Sequence, residues 1–469
     1  MRPNLLLSHA ALVALLVSLV GAARAQTTWQ IGETTLVEYD LVSGVQIPWE
    51  LTWGPDDMLW CTTRYGDVLH IDPVSGSYET VLTLNVFGGS GEPGLLGMAL
   101  HPEWETTPKV FLAYCYGSSW TNAVERLSVF DWNGTALVNE TVLYTVDAGG
   151  IHNGSRLLIL PDNTLLMSTG DTGDGGASSQ NASNPNGKML RFALDGSIPS
   201  DNPFPDSPVY SLGHRNSQGL CNGPNGLIYS SEHGQSNWDE FNIIEPGRNY
   251  GWPNVEGECN TPSEQSFCAA NNVAEPLKTW SPCVAVNGIA YYDHPAIPEW
   301  QGSVLMAVLG GLSGQYERLS VLHMSADGLA VESEDQFFAS FNERIRDVAI
   351  NPYTGSVYVA FNGPQYPGSG PNKIKEFRPQ APSGVNAWDE NRLVDVFPNP
   401  AQDLVTFRVG NAWCGASYEI VNLQGRVVDA GLLGTQAVLD VSQWVAGTYL
   451  LKAVHPERNG QLSRILVVE

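Results

Sequence analysis

A glycine-rich segment that contains a histidine is the first feature with residues suited to catalysis. His152 stands in Gly-Gly-Ile-His-Asn-Gly at residues 149–154, and an imidazole on a loop can act as a base near neutral pH. Asp171, in Ser-Thr-Gly-Asp-Thr-Gly at 168–173, could orient that imidazole and raise its basicity. We therefore predict a His152–Asp171 base. The alternatives are a histidine that is merely hydrogen-bonded and an aspartate that serves a turn or a structural cation.

Arginines in two further segments could bind negative charge. Arg215 lies among amide side chains in Leu-Gly-His-Arg-Asn-Ser-Gln-Gly at 212–219, where a guanidinium can hold a carboxylate or stabilise a developing anion. Arg344 and Arg346 are two residues apart on a predicted strand, so their side chains point to the same face. These arginines predict a site for a polyanionic ligand. Surface ion pairs, which contribute little stability, are the alternative.

A fourth segment carries the oxygen ligands that calcium prefers. Asp239 and Glu240 end the run Ser-Glu-His-Gly-Gln-Ser-Asn-Trp-Asp-Glu at 231–240, and Ca²⁺ is bound by carboxylates and backbone carbonyls. A solvated loop is the alternative. Combined with the base and the arginines, this segment fits an acidic cofactor held together with Ca²⁺.

Several classes of function find no support in the sequence. The chain has 23 basic and 49 acidic residues and a net charge of −26, which argues against a nucleic-acid partner. Walker and Rossmann glycine motifs and a Gly-x-Ser-x-Gly motif are absent from the sequence, so nucleotide cofactors and a serine hydrolase are unsupported. No Cys-x-x-Cys spacing suggests zinc. Cys259 and Cys268 flank one polar loop and are the best candidates for a disulfide.

A repeated phrase indicates the elements that must position these residues. Apolar residues, a turn that usually centres on proline and an alternating strand recur six times, beginning near Leu51, Met98, Leu158, Cys221, Ala290 and Val348. The spacing leaves room for about four short strands per copy. No stretch shows a convincing helical period. The prediction is an all-β chain with a six-bladed β-propeller, and an array of β-sandwiches is the alternative.

The two ends of the chain differ from the repeats. Residues 1–25 read as a signal peptide, with Arg2, an apolar run and Ala-Arg-Ala at 23–25. We assign 26–379 to the propeller and 380–394 to a Pro/Gly/Ser-containing linker. Residues 395–469 read as a small β-sandwich of alternating strands. No other segment is apolar for long enough to span a membrane, so we expect no transmembrane segment in the mature chain.

The last unit resembles the type IX secretion sorting domain of Bacteroidetes. The resemblance rests on Phe-Pro-Asn-Pro at 397–400, Leu-Gln-Gly-Arg at 423–426 and Ala-Gly-Thr-Tyr-Leu-Leu-Lys at 446–452. It implies a partner in the type IX secretion machinery and passage through the periplasm and outer membrane, to the cell surface or the medium. A carbohydrate-binding or adhesive sandwich is the alternative.

The stretch 45–378 resembles the glucose/sorbosone dehydrogenase family, the soluble enzymes that use pyrroloquinoline quinone (PQQ). The matching phrases include Pro-Gly-Leu-Leu-Gly at 93–97, His-Asn-Gly at 152–154, Gly-Lys-Met-Leu-Arg at 187–191, Gly-His-Arg-Asn at 213–216 and Asn-Tyr-Gly-Trp-Pro at 249–253. The resemblance implies a six-bladed propeller that oxidises the anomeric hydroxyl of an aldose to a lactone. No haem motif is present in the sequence, so we expect an external electron acceptor.

The resemblance also implies roles for single residues. His152 would be the general base, with Asp171 orienting it, and Arg215 would stabilise charge on the quinone oxygens. Cofactor contacts would come from Glu92, Arg215, Asn216, His233, Cys283, Arg344 and Arg346. Calcium would be held by the carbonyls of Gly234 and Gln235, with Asp239 and Glu240 supporting that loop or a second calcium.

Four positions depart from the family pattern and predict an altered cofactor site. Glu92 and His233 stand where the family has glutamine, Cys283 aligns near a threonine, and residues 309–313 lack a lysine. A carboxylate at 92 would be unfavourable beside an anionic quinone unless it were protonated or on the metal. Two alternatives therefore stay open: a non-catalytic propeller that binds a carbohydrate or a protein, and a calcium-dependent, lactonase-like hydrolase.

Overall fold

Six antiparallel sheets make up most of the chain. The computed structural model describes residues 27–468, except 89–90, 312–313, 367, 369, 381–393, 398–400, 410–414, 423–424, 435 and 455–460. The predicted signal peptide and most of the predicted linker lie outside the described residues. No helix in the described part of the chain is long and apolar enough to span a membrane.

Each sheet is one blade of a propeller, and five blades are built from four consecutive strands. Two strands precede blade 1 in the sequence, and all strands are numbered in chain order. Those two are β1 (Thr28–Ile31) and β2 (Thr34–Val45). Blade 1 has β3 (Pro48–Trp53), β4 (Leu59–Thr63), β5 (Asp67–Ile71) and β6 (Tyr78–Thr83). Blade 2 has β7 (Leu95–Leu100), β8 (Lys109–Tyr116), β9 (Val124–Trp132) and β10 (Leu137–Asp147). Blade 3 has β11 (Gly154–Ile159), β12 (Thr164–Thr169), β13 (Lys188–Ala193) and β14 (Val209–Leu212).

The remaining blades complete the ring. Blade 4 has β15 (Ser217–Asn222), β16 (Ile228–Glu232), β17 (Asp239–Ile243) and β18 (Lys278–Trp280). Blade 5 has β19 (Val286–Tyr292), β20 (Ser303–Val308), β21 (Arg318–Met324) and β22 (Val331–Phe337). Blade 6 combines β23 (Ile345–Ile350), β24 (Val357–Phe361) and β25 (Asn372–Pro379) with β2 and β1 from the start of the chain. The first strands β3, β7, β11, β15, β19 and β23 contact one another in that order, and β23 returns to β3. The fold is therefore the predicted propeller.

Apolar residues alternate between the two faces of each blade, and this alternation builds the core. On β8, Val110, Leu112 and Tyr114 pack towards blade 1, whereas Phe111 and Ala113 pack towards blade 3. In the described residues of the propeller, one apolar cluster lies at each of the six interfaces between neighbouring blades. Strands buried on both faces read as nearly continuous apolar runs, which is why the repeat is visible in the sequence.

One α-helix lies among the strands of the described residues, in a stretch where the sequence shows no convincing helical period. Helix α1 (Pro262–Asn271) has no buried residue, so it lacks the apolar stripe that a periodicity search detects. It begins instead with a capping box, in which Thr261 and Glu264 each satisfy a backbone N–H of the other. The predicted disulfide between Cys259 and Cys268 is confirmed and ties this helix to the loop before it.

The C-terminal unit has two further sheets. One contains β26 (Val394–Phe397), β27 (Leu404–Val409) and β30 (Gln436–Asp440). The other contains β28 (Ser417–Asn422), β29 (Val427–Leu432), β31 (Gly447–Val454) and β32 (Gln461–Val468). Side chains from both sheets, among them Phe407 and Ile420, share one apolar cluster. This packing is that of the predicted small β-sandwich.

Candidate active site

A cavity of about 500 Å³ lies at one end of the propeller ring. Its walls come from residues near the start of the first strands, from Trp49 on β3 to Arg344 before β23, and from loops that follow the second strand of several blades, such as those of Arg64 and His233. Ten of the predicted site residues line it: Glu92, His152, Arg215, His233, Gly234, Gln235, Asp239, Cys283, Arg344 and Arg346. Asp171, Asn216 and Glu240 lie behind this wall. The ring therefore gathers segments that are far apart in the sequence into one site.

His152 and Asp171 form the predicted pair. The Nδ1 atom of His152 lies 2.7 Å from Oδ1 of Asp171, which also accepts the N–H of Gly173 at 2.9 Å. The other oxygen, Oδ2, accepts the indole N–H of Trp252 at 2.9 Å. Burial acts to raise the pKa of Asp171, but these hydrogen bonds outweigh it and hold the pKa below its ordinary value. An ionised carboxylate can only accept, so Nδ1 carries a proton and Nε2 is left as the basic nitrogen.

The backbone of His152 has a left-handed conformation, with φ of 57°, that costs energy for a non-glycine residue. Three contacts hold it there. Its N–H donates to Oε2 of Glu92 at 2.7 Å, and its carbonyl accepts the N–H of Thr172 at 3.1 Å. Its carbonyl also packs so closely on Gly170 that a Cβ there would lie 2.0 Å from the oxygen. Glu92 thus positions the imidazole through the backbone, a role that the sequence did not suggest.

Arg215 lies beside the base. Its Nη1 donates to the carbonyls of Gly234 at 2.7 Å and His233 at 3.2 Å, and its guanidinium stacks over the ring of Trp252, 5.3 Å from the centroid. Its Nε is buried and has no hydrogen-bond partner among the described atoms. Trp252 therefore connects Arg215 to Asp171, so one indole supports both the base and a cation.

The two strand arginines face the same cavity, as predicted. Arg344 and Arg346 lie on either side of the first residue of β23, and burial lowers the pKa of both, that of Arg346 to about 9. Neighbouring arginines, among them Arg64, contribute to the lowering at Arg346. With Arg215 these residues place four guanidinium groups on the wall of one cavity in an acidic protein. Such a concentration of positive charge suits a ligand with several carboxylates.

Asn216 and Glu240 act on the backbone behind the cavity. Oδ1 of Asn216 accepts the N–H of Gly154 at 3.2 Å, which fixes the turn between the histidine and β11. Oε1 of Glu240 accepts the N–H of Gly257 at 2.7 Å, and burial raises the pKa of Glu240 to about 8.

The predicted calcium loop is closed by its own hydrogen bonds. Oδ1 of Asp239 accepts the N–H of Gly234 at 2.9 Å, and Oδ2 accepts the N–H groups of Val284 and Ala285 at 2.7 and 2.6 Å. Among the residues that the structure describes, no group of three acidic, histidine or cysteine side chains could hold a metal. The carbonyl of Gly234 already accepts Arg215. A calcium ion on the Gly234 and Gln235 carbonyls stays a prediction.

The two other departures from the family pattern also face the cavity. Nε2 of His233 is buried without a hydrogen-bond partner in the described part of the chain, and burial lowers the pKa of this imidazole. Burial raises the pKa of the Cys283 thiol. Both side chains are therefore neutral donors or acceptors near neutral pH.

The comparison with family models decides what kind of protein carries this site. Residues 45–366 match the model of the family described as Glucose / Sorbosone dehydrogenase. The chain belongs to the glucose/sorbosone dehydrogenase family. The matched range includes every residue of the cavity wall and five complete blades.

Several proteins that are similar to this chain are named as sugar dehydrogenases. The chain is 28% identical over 349 residues to the aldose sugar dehydrogenase YliI of Escherichia coli, which covers 71% of this chain and 91% of the relative. It is 34% identical over 249 residues to quinoprotein glucose dehydrogenase B of Acinetobacter calcoaceticus, and this alignment covers 46% of this chain and 52% of the relative. The PQQ-bound aldose sugar dehydrogenase of Streptomyces coelicolor superimposes with a TM-score of 0.62 at 30% identity, covering 73% of this chain and 97% of that structure. These likenesses support an oxidoreductase role.

The C-terminal unit has its own family. Residues 395–469 match the secretion system C-terminal sorting domain. This match confirms the resemblance seen in the sequence and indicates export to the cell surface or the extracellular space. The residues that line the cavity all come from the propeller, between positions 49 and 366.

Three residues of the glucose/sorbosone dehydrogenase site were missed by sequence reasoning. Arg64 and Trp49 line the cavity, and Trp252 lies behind it. The guanidinium groups of Arg156 and Arg346 lie over the ring of Trp49, 4.3 and 5.9 Å from its centroid. Trp49 stands two residues before a repeat phrase, and Trp252 belongs to a quoted family phrase. A search of the residues just before each repeat would have found Trp49.

Proposed function

We propose that this protein is a secreted, PQQ-dependent oxidoreductase that oxidises the anomeric hydroxyl of an aldose to a lactone. One observation carries the proposal: a histidine held by a buried, ionised aspartate faces a cavity that four arginines line. The histidine suits proton removal from a hydroxyl group, and the arginines suit an anionic cofactor. Membership of the glucose/sorbosone dehydrogenase family supports the same reading.

The proton step belongs to His152. Its Nε2 would accept the proton of the sugar C1 hydroxyl as the C1–H bond breaks and a C1–O double bond forms. Asp171 would stabilise the imidazolium, because its carboxylate accepts the proton on Nδ1. When bound, PQQ supplies the two-electron acceptor that takes the hydride from C1. The products balance as a lactone, a proton and a reduced quinone.

The residues present fit a planar cofactor with three carboxylates. Arg344 and Arg346 would bind carboxylate groups, and Arg64 adds positive charge to the same wall. The unpartnered Nε of Arg215 and Nε2 of His233 are two buried polar atoms that a quinone or carboxylate oxygen could satisfy. Leu309 and Gly311 line the cavity where the family has its lysine. We expect PQQ to bind here, more weakly than in a site with that lysine.

Calcium is the second proposed cofactor. It would use the carbonyls of Gly234 and Gln235, and the Gly234 oxygen, which accepts one hydrogen bond from Arg215, has a second lone pair for the metal. The remaining ligands would come from the cofactor itself. An external electron acceptor would then reoxidise the cofactor.

The first experiment is reconstitution of the full-length chain with PQQ and Ca²⁺. Sugar-dependent reduction of a redox dye would be measured with a panel of aldoses. We expect activity that is lost in His152→Ala and retained in His323→Ala, a control that changes a histidine paired with Asp335 on blade 5. If calorimetry shows no saturable binding of PQQ, the proposed PQQ-dependent dehydrogenase activity is rejected.

A non-catalytic binding propeller is the second candidate. Glu92 favours it, because a carboxylate in the cavity opposes an anionic cofactor. Saturable binding of a sugar without PQQ binding would favour this candidate. The lactonase-like hydrolase needs a metal held by carboxylates in the channel, and the described residues give it no such cluster.

A further inference from the structure

A buried lysine holds the segment between β12 and β13. Lys188 is the first residue of β13, and its side chain is fully buried. Its Nζ donates to three backbone carbonyls, those of Ser178 at 2.9 Å, Ser179 at 3.0 Å and Asn186 at 2.8 Å. An ammonium has three N–H donors, so each donor meets one acceptor. The arrangement is that of a small cation coordinated by carbonyl oxygens.

This lysine has no ion-pair partner among the described residues, which makes its burial costly. Burial lowers the pKa of Lys188 to about 7, and Asp174 is the acid whose charge opposes that shift. An amine that has lost its proton can serve only two of the three carbonyls. The three hydrogen bonds of the ammonium offset part of this cost. They join the middle of the segment 170–187 to its last turn.

The tied segment supports both halves of the candidate active site. Its second residue is Asp171, which orients the base. Ser179 accepts the N–H of Gly213 at 2.9 Å through its carbonyl, and its hydroxyl donates to the carbonyl of His214 at 2.7 Å. These bonds fix the backbone that leads directly into Arg215.

Trp252 rests on the same segment. Nε2 of Gln180 donates to the carbonyl of Trp252 at 2.7 Å, and the indole packs on Gly176, where a Cβ would lie 2.6 Å from Nε1. Trp252 in turn donates to Asp171 and stacks on Arg215. Loosening the segment would therefore disturb the base and the cation together.

We propose that Lys188 is a positioning residue whose ammonium acts as a built-in cation for the segment 170–187 and thereby sets Asp171, Trp252 and Arg215. The proposal rests on the proposed dehydrogenase function for its kinetic readout. A second consequence is independent of that function. If the lysine side chain is removed, the three carbonyl oxygens that it contacted should bind a small ammonium ion.

The test uses the full-length chain, reconstituted with PQQ and Ca²⁺, as Lys188→Ala. We expect kcat to fall about 100-fold, the loss that a displacement of about 1 Å can cause, while KM for the sugar changes little. Ammonium or methylammonium chloride should restore kcat saturably, and sodium chloride at equal ionic strength should not. Lys188→Met, whose side chain fills the cradle, should lose kcat without rescue. Lys375→Ala is the matched control, because that lysine is buried beside Glu38 and Asp40 in blade 6; it should retain kcat and show no rescue.

Hydrogen–deuterium exchange of the segment 170–187 separates this proposal from the proposed function. We expect faster exchange in Lys188→Ala and its reversal by ammonium, even if the wild-type protein oxidises no sugar. Unchanged exchange, or a loss of kcat that no amine restores, would overturn the proposal. If Lys188→Ala does not fold, Lys188→Gln replaces it: its amide keeps two donors, and exchange equal to that of the wild type would contradict the need for a cation.

Discussion

Replacing Asp171 by asparagine is the sharpest perturbation of the proposed base. The carboxylate accepts three hydrogen bonds, from His152 and Gly173 at Oδ1 and from Trp252 at Oδ2. An asparagine side chain has one oxygen and one NH₂ group. If its oxygen faces the imidazole, the NH₂ group meets the indole N–H, donor against donor. If it is turned over, the NH₂ group faces Nδ1 and moves the imidazole proton to Nε2, where it blocks the base.

The hydrogen bond between His152 and the Asp171 carboxylate sets the expected effect of Asp171→Asn on kcat. A hydrogen bond to a charged group contributes roughly 1.5–3 kcal/mol, which corresponds to a loss of about 10- to 150-fold. A change of tautomer would extend the loss towards about 10⁴-fold, the size seen when the aspartate of a serine-protease triad is changed in the same way.

The assay is dye reduction at saturating sugar and PQQ, from pH 5 to 9. The lowered pKa of Asp171 keeps the wild-type carboxylate ionised throughout that range, so the loss should be present at every pH. PQQ binding should be unchanged, because Asp171 lies behind the cavity wall. Asp195→Asn, which alters an exposed turn aspartate, is the control. A loss below threefold would refute the assignment of His152 as a base held by this aspartate.

Three further predictions follow from the site and from the buried acids. Glu92→Gln removes a negative charge from the cavity, so the dissociation constant for PQQ should fall several-fold in an absorbance titration; weaker binding would contradict the charge argument. Arg346→Met should raise that constant by about 10- to 150-fold, from a lost charged hydrogen bond of roughly 1.5–3 kcal/mol, and an unchanged constant would exclude a contact with the cofactor. Glu125 is fully buried, and burial raises its pKa to about 8. Between pH 5 and 8 the folded protein therefore keeps a proton that the unfolded chain, with a pKa of about 4.5 at this residue, has released. The free energy of unfolding should fall as pH rises over that range, by up to about 1.4 kcal/mol per pH unit. Thermal melts of Glu125→Gln should show a smaller fall of Tm with rising pH than the wild type. An equal fall in the two proteins would refute the raised pKa of Glu125.

Much of this site could be predicted because of where its residues stand in the sequence. His152 and Arg215 each stand two residues before a first strand and Arg344 stands one residue before, and first strands carry the visible apolar repeat. Finding the repeat therefore also locates the loops at the mouth of the ring.

What could not be predicted depends on contacts between distant segments. Glu92 looked unfavourable because only its charge was visible in the sequence, whereas its bond to the N–H of His152 arises from the meeting of two blades. Asp239 was expected to support the calcium loop or a second calcium, but the bonds of its Oδ2 atom to N–H groups about 45 residues away were not visible in the sequence. Helix α1 escaped detection because its signal was a cap and not a period.

The closure of blade 6 by β2 has a consequence for how the site comes into being. Strand β2 pairs with β25 across more than 300 residues, from Leu36 with Pro379 to Val45 with Asn372. Contacts of such long range form late and slowly, because the loop must close before they stabilise anything. Arg344 and Arg346 come from this last blade and His152 from the third. A chain that is still emerging therefore has the base before it has the arginine pair, and a chain cut before β25 has both arginines on a blade that β2 cannot complete. Activity should arise in a single step when the ring closes.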